Sequence, residues 1–271
     1  MNPVFNTIFG ITFIFFCTTL GASLVFFFRK KEISNKVNQI FVGLAAGIML
    51  SASAFSLIRP VIETDTSYLP GYAIAAIGVI LGSLFLYAID KTLPHLHAHE
   101  NEEEGIKTER MSKTAKLFLA VTIHNVPEGL SVGIAYGVGL ALLKANPDST
   151  EATAAMMSAF SLALGIGIQN IPEGTTVSLP FKAETGKTGE AFVFGMLSGA
   201  VEPVAAVLGL LLAMNVTVIM PWALSFAGGC MLYVIAEEMI PDAQSDPTNH
   251  YGVWSFILGF VLMMVLDTAL G

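Results

Sequence analysis

The sequence predicts an all-α membrane protein with eight transmembrane helices. Of its 271 residues, 54% are hydrophobic and only 13% are charged, whereas soluble proteins carry about 25% charged residues. No charged residue occurs within 1–28, 37–58 or 66–89. Since about 20 apolar residues cross a bilayer as a helix, each of these three runs is long enough to span a membrane.

Three later apolar runs are each interrupted by a single glutamate. Glu128 lies within 117–143, Glu173 within 152–181 and Glu202 within 191–236. The last of these runs is too long for one helix, so we expect a turn near 214–222, where Pro221 and Trp222 can start a helix at the membrane interface. A final apolar run covers 251–266. The predicted spans are 4–28, 37–62, 69–93, 114–141, 152–181, 187–213, 217–241 and 250–270.

The basic residues predict the orientation of these spans. All of the 13 Lys and Arg residues except Arg59 and Lys144 fall beside the loops that follow the first, third and fifth spans. Positively charged loops stay in the cytoplasm, so both termini are predicted to lie outside it.

The first run has no basic residues before it, which favours a retained span over a cleaved signal peptide. We expect a single polytopic domain, 1–271, and the simplest location is a bacterial inner membrane.

The polar parts of the chain restrict its partners. A formal net charge of −8 argues against nucleic acid, because few cations are present to neutralise phosphates. Cys17 and Cys230 are too far apart for a C-x-x-C zinc site. The predicted cytoplasmic loop 94–112 contains His95, His97 and His99 followed by several glutamates. Two interpretations stay open: a solvated flexible loop, and a weak metal-collecting tract.

The ionisable residues deep in the spans indicate the chemistry. They are Glu128, Glu173, Glu202 and His124, and no Lys or Arg lies at their depth. A carboxylate in hydrocarbon is costly unless it is protonated or paired. Three buried glutamates without a fixed cationic partner therefore predict that a mobile cation binds among them.

Two matching hexapeptides refine this prediction. His124-Asn125-Val-Pro127-Glu128-Gly and Gln169-Asn170-Ile-Pro172-Glu173-Gly form an internal repeat in neighbouring spans. The first residue and the glutamate of each are four apart, so they share a helical face. Pro127 and Pro172 lack the N–H donor and are expected to kink the fourth and fifth spans beside the candidate ligands.

Imidazole, carboxylate, amide and thioether groups are suitable ligands for Zn²⁺, Cd²⁺, Fe²⁺ or Mn²⁺. The two glutamates also allow a binuclear site. Gln169, Asn125 and Asn170 have two interpretations, as ligands or as groups that tie helices together. Two other functions remain open: an intramembrane metal-dependent hydrolase and a cation-coupled carrier of an organic solute. No Walker-type sequence occurs, which argues against ATP as the energy source.

The double motif resembles the paired signature of the ZIP (Zrt/Irt-like) metal transporters, in the bacterial GufA-like branch. The eight spans, the outward termini and the His-bearing loop are similar as well. The resemblance implies uptake of a divalent, zinc-type metal into the cytoplasm, with the ion as substrate and no catalytic cofactor. It further implies a binuclear site, elevator-type alternating access and a homodimer.

The resemblance also implies which residues bind metal. One ion is assigned to Met49, His124, Glu128, Gln169 and Glu173, and a second to Asn125, Glu128, Asn170, Glu173 and Glu202. Asn170 occupies a place where similar proteins often have Asp, and Glu237 stands where a His is common. A further group is expected to form an exit path or a regulatory metal site, or to be plain interfacial charges: Asp90, His95, Glu237, Glu238, Asp242 and Asp267.

Overall fold

The described part of the chain contains eight helical spans. The computed structural model describes residues 2–28, 34–64, 66–92, 112–215 and 217–270, and all regular structure in this part is helical. The segments long and apolar enough to cross a membrane are Pro3–Phe26, Asn35–Ile62, Gly71–Thr92, Thr114–Ala145, Thr150–Thr185, Thr188–Met214, Met220–Ala243 and Tyr251–Leu270. They confirm the predicted fold class and differ from the predicted spans by only a few residues at each end. The orientation of the termini stays a prediction.

Three of the eight spans change their helical form along their length. The second runs as Asn35–Ala52, a π-helical segment Ser53–Ile58, and Arg59–Ile62. The sixth consists of Thr188–Ser198 and Val201–Asn215. The seventh runs as Met220–Val234, a π-helical segment Ile235–Met239, and Ile240–Ala243. The other helices are Pro3–Ser23, Gly71–Thr92, Lys113–Ala145, Thr150–Thr185 and Tyr251–Leu270, with short 3₁₀ turns at Leu24–Phe26 and Thr217–Ile219.

Prolines account for these changes. Pro60, Pro203 and Pro241 each follow an altered segment, and a proline ring clashes with the carbonyl four residues before it. In the two π-helical segments the backbone widens, so that Arg59 N–H donates to Ala54 and Ile240 N–H donates to Ile235, five residues back. Pro127 and Pro172, by contrast, lie inside helices that continue through them. Kinks at these two positions stay a prediction.

The spans pack as two groups of four. The first, fourth, fifth and sixth form one group, in which the closest partners are the first with the fifth and the fourth with the sixth. In the other group the second packs on the eighth and the third on the seventh. Glycine allows the closest of these contacts: a side chain at Gly47 would collide with the backbone carbonyl of Phe256.

The two groups meet mainly where the second and seventh spans contact the fourth and fifth. This junction includes the buried side chains of Ile48, Met49 and Ile166. Polar side chains are buried beside it, among them Asn125, Gln169, Asn170 and Glu202, each 1% exposed or less. The polar centre of the protein therefore lies inside the first group, next to the surface that faces the second.

Candidate metal site

A small cavity lies at the junction between the two groups. Its volume is about 60 Å³, and it is lined by Met49, His124, Glu128 and Glu173 together with Glu238 and Asp242. A water molecule needs at least about 10–15 Å³ of such space, so the cavity has room for a few small ions or waters. Both repeated motifs contribute their glutamate to this cavity.

The fourth and fifth spans are joined at the cavity by a hydrogen bond between the two motifs. Gln169 Nε2 donates to Glu128 Oε1 over 2.7 Å. The second oxygen of this carboxylate, Oε2, and the amide oxygen of Gln169 are buried and have no hydrogen-bond donor in the described part of the chain. The pairing orients the carboxylate and leaves two oxygen atoms available for another partner.

His124 connects the two groups of spans. Its Nδ1 lies 2.7 Å from Glu238 Oε2, and both side chains are about 90% buried. Glu238 belongs to the π-helical segment of the seventh span, which helps to explain why sequence reasoning did not pair these residues. The contact therefore joins His124, a candidate ligand in the first group of spans, to the carboxylate of Glu238 in the second group.

Glu202 is held by donors from three spans behind the cavity. Its Oε1 accepts from Thr18 Oγ1 at 2.7 Å and from Asn125 Nδ2 at 3.3 Å, and its Oε2 accepts from Asn170 Nδ2 at 2.8 Å. The carboxylate also lies in the first turn of the helix Val201–Asn215, where the helix dipole favours negative charge. Sequence reasoning missed Thr18, since a threonine in an apolar run gives no signal of a distant partner.

The break in the sixth span contributes a backbone acceptor to the same network. Glu202 N–H donates to Gly199, three residues back, instead of to Ser198. The Ser198 carbonyl is therefore available to accept from Asn125 Nδ2 at 3.1 Å. The helix break before Pro203 thus provides the carbonyl that orients the amide of Asn125 in the fourth span.

Four buried oxygens of the two repeated motifs accept no hydrogen bond from the described residues. They are Glu128 Oε2, Gln169 Oε1, Asn125 Oδ1 and Asn170 Oδ1. A buried acceptor without a donor costs about 1–3 kcal/mol, and a divalent cation is one partner that would satisfy several at once. Within the described ranges, no three His, Cys, Asp or Glu side chains form a ready metal cluster. A metal ion here would therefore need amide or thioether ligands as well.

The remaining candidate residues are more widely spread. Glu237 is exposed, and Asp90 is buried near the end of the third span. His95 and most of the 94–112 loop lie outside the described residues.

Asp267 is not grouped with Glu238 and Asp242, because it lies near the opposite end of the bundle. There it accepts from Ser56 Oγ at 2.7 Å. It lines a separate cavity of about 620 Å³ with Arg59, Glu63 and Glu151.

Comparison with known proteins identifies the family of this chain. The family model described as ZIP Zinc transporter matches residues 6–116 and 100–267. The zinc transporter ZIP11 of Homo sapiens is 34% identical, over 100% of this chain and 98% of its own length. The zinc transporter GufA of Myxococcus xanthus is 37% identical over 94% of each chain. The zinc transporter ZIPB of Bordetella bronchiseptica is 32% identical over 95% of this chain and 79% of its own. With eight membrane-spanning helices and matches along nearly its whole length, the chain belongs to the ZIP zinc transporter family.

Proposed function

We propose that this protein carries divalent transition-metal ions, Zn²⁺ foremost, across the membrane into the cytoplasm. The observation that carries the proposal is the set of buried oxygens without donors around Glu128 and Gln169, beside a cavity of ionic size. Its relatives are named zinc transporters, which supports a transporter instead of an enzyme. Cd²⁺, Fe²⁺ and Mn²⁺ suit the same donors and are further candidate substrates.

The proposed site holds two ions that share Glu128 and Glu173. The first ion is bound by these carboxylates with Met49, His124 and Gln169. The second is bound by the same carboxylates together with Asn125, Asn170 and Glu202. Support comes from the cavity, which four residues of the first set line, and from the two asparagine oxygens that lack donors.

The size of the cavity bears on the two other functions that the sequence leaves open. A volume of about 60 Å³ is too small for an organic solute of several carbons or for a peptide. It therefore favours an ion over the substrate of a solute carrier or of an intramembrane hydrolase.

Two cavities near opposite ends of the bundle support alternating access. The larger, with Glu63, Glu151 and Asp267, lies on the predicted extracytoplasmic side, where acidic groups attract cations. The smaller one includes Glu238 and Asp242 on the predicted cytoplasmic side and forms the start of the exit path. Asp90, Glu237 and the loop that contains His95 extend this path or bind a regulatory metal ion.

The packing supports an elevator-type movement. The spans are tightly paired within each group of four, and fewer residues connect the groups. The first group, with both repeated motifs, moves relative to the second and carries the ion with it. A homodimer in a bacterial inner membrane completes the proposal, since exposed apolar side chains on the outer helices suit lipid and a second copy.

Metal uptake by purified protein in proteoliposomes tests the proposal. Wild-type protein is expected to take up Zn²⁺ down an imposed gradient, while His124→Ala and Glu173→Ala are expected to lose at least tenfold in rate. Matched controls are His250→Ala and Glu190→Ala, because these side chains are exposed and do not line the cavity. Unchanged uptake in both site variants would overturn the site, and no uptake by wild-type protein would overturn the function.

A further inference from the structure

We infer that Arg59 sets the affinity of the outer cavity for the incoming metal ion, by cancelling part of the negative charge that draws the ion in. The outer cavity is the space of about 620 Å³ that Arg59 lines together with Glu63, Glu151 and Asp267. The inference rests on the proposed function, because it gives a role to a residue on the proposed entry route, outside the metal site itself.

Arg59 lies on a side of the membrane where basic residues are scarce. Of the 13 Lys and Arg residues, Arg59 and Lys144 are the two that fall on the predicted extracytoplasmic side. Lys144 is exposed at the end of the fourth span and does not line the cavity. Arg59 directly follows the π-helical segment Ser53–Ile58, and such segments are frequent at functional sites. Its charge is therefore placed where it acts on an entering cation.

An ion pair holds the guanidinium at the cavity. Arg59 Nε donates to Glu63 Oε1 over 2.8 Å, and the two side chains are 58% and 61% exposed. An exposed ion pair contributes little to the stability of a protein, so stability does not account for a charged pair at this position. The guanidinium also interacts electrostatically with Asp267, whose carboxylate accepts from Ser56 Oγ. Arg59 therefore acts on two of the three carboxylates of the cavity.

The charged side chains of the cavity leave two negative charges in excess. Among the described residues of its lining, three carry a carboxylate and one a guanidinium. Two excess negative charges match one divalent cation, and an acidic cavity raises the local concentration of such ions. Three uncompensated carboxylates would attract the ion more strongly but would also retain it. Arg59 thereby keeps capture weak enough for the ion to move on to the metal site.

The location of these charges separates capture from binding at the metal site. Arg59, Glu63 and Asp267 belong to the second and eighth spans, in the group without the repeated motifs, whereas Glu151 belongs to the fifth span. None of the four lines the smaller cavity that contains the site residues. A change of charge at Arg59 is therefore expected to alter the concentration dependence of uptake, measured as KM.

Initial rates of Zn²⁺ uptake by cells that express the transporter, with the ion added outside, test the role of Arg59. Arg59→Gln is expected to lower KM about threefold or more at low ionic strength, because one repelling charge is removed. The difference is expected to shrink when the ionic strength is raised from about 0.01 M to about 0.15 M, since salt screens exposed charges. Lys144→Gln is the matched control and is expected to leave KM unchanged.

Two further variants separate the effect of charge from that of the ion pair. Arg59→Lys keeps the charge and is expected to keep the wild-type KM. Glu63→Gln removes one attracting charge, so it is expected to raise KM about threefold, and Arg59→Gln combined with Glu63→Gln is expected to restore it. If Arg59 served only as a structural partner of Glu63, both single variants to Gln would shift KM in the same direction. That result, an unchanged or raised KM in Arg59→Gln, or an altered KM in Arg59→Lys would overturn the inference.

These results are distinguishable from failure of the proposed function. If His124→Ala and Glu173→Ala lose uptake while Arg59→Gln keeps the wild-type KM, the transport function stands and only the role of Arg59 is wrong. If cells with the wild-type protein take up no more Zn²⁺ than cells without it, the proposed function itself is wrong.

Discussion

Glu128 and Glu202 are both fully buried carboxylates, but their surroundings differ. Glu202 accepts hydrogen bonds from three side chains and lies at a helix N-terminus. Glu128 accepts one, from Gln169, and its other oxygen has no donor among the described residues. Both oxygens of Glu202 are therefore already hydrogen-bonded within the protein, whereas one oxygen of Glu128 is left for another partner.

Protons are expected to compete with the metal at these residues. Carboxylates and imidazole bind metal in their deprotonated forms, so zinc binding releases protons and strengthens as the pH rises. We predict that the apparent affinity for Zn²⁺ falls steadily when the pH is lowered from about 7.5 to about 5, the range in which histidine and perturbed carboxyl groups titrate. Calorimetry in buffers of different ionisation enthalpy measures both the affinity and the released protons. A flat profile without proton release would contradict the assignment.

Met49 is expected to influence which metal is preferred. Its side chain is 2% exposed and lines the cavity, and a thioether favours softer ions. Met49→Leu keeps a similar volume, so uptake of Cd²⁺ is predicted to fall several-fold more than uptake of Mn²⁺. Competition between the two ions in proteoliposomes measures this ratio. Met231→Leu, buried in the seventh span away from the cavity lining, is the control, and an equal change in both variants would argue against a ligand role.

At the scale of the helices, prolines and glycines give the spans their local shape. Pro203 separates the sixth span into two helices and thereby frees the Ser198 carbonyl for Asn125. Pro241 follows the π-helical segment that contains Glu238. Helix irregularities thus position two groups of the network around the site.

Gly129 is predicted to be essential for the contact between the fourth and sixth spans. A side chain there would collide with the backbone carbonyl of Glu202, so the two helices would have to separate. Gly129→Ala is expected to lower the melting temperature in detergent by about 3 °C or more, since overpacking costs about 1–3 kcal/mol. Gly189→Ala is the control, because nothing lies within 4 Å of that position. Equal melting temperatures would contradict the close approach.

At the scale of the whole molecule, the two groups of spans form separate packing units with the candidate site at their junction. The two cavities differ tenfold in volume, about 620 Å³ against about 60 Å³. In this conformation the smaller cavity includes the site residues and the larger one does not. A relative movement of the groups would connect the larger cavity with the site.

Cross-linking the two groups is predicted to stop transport. A Cβ placed on Gly165 of the fifth span would lie 3.5 Å from Ile48 Cγ2 of the second, once the flexible Met263 side chain of the eighth span moves aside. Cysteines at 48 and 165 are therefore expected to join the groups after Cys17 and Cys230 are replaced by Ala. Cross-linking is expected to abolish zinc uptake, and reduction to restore it.

Cysteines at Phe26 and Phe192 provide the control for this experiment. Their rings lie 5.4 Å apart within the first group, and a cross-link there is expected to leave uptake intact. Full uptake with the groups joined would rule out the elevator movement.

The sequence by itself determined the membrane class, the number of spans and the paired motifs, because bilayer thickness and helical periodicity act locally along the chain. Only the tertiary structure decided that His124 meets Glu238, that Thr18 meets Glu202, and that Asp267 lies apart from Asp242. Such contacts join residues far apart in sequence, and they depend on how eight apolar helices pack. Apolar patterning shows that a helix is buried in lipid or protein, but it does not show which neighbour each polar side chain faces.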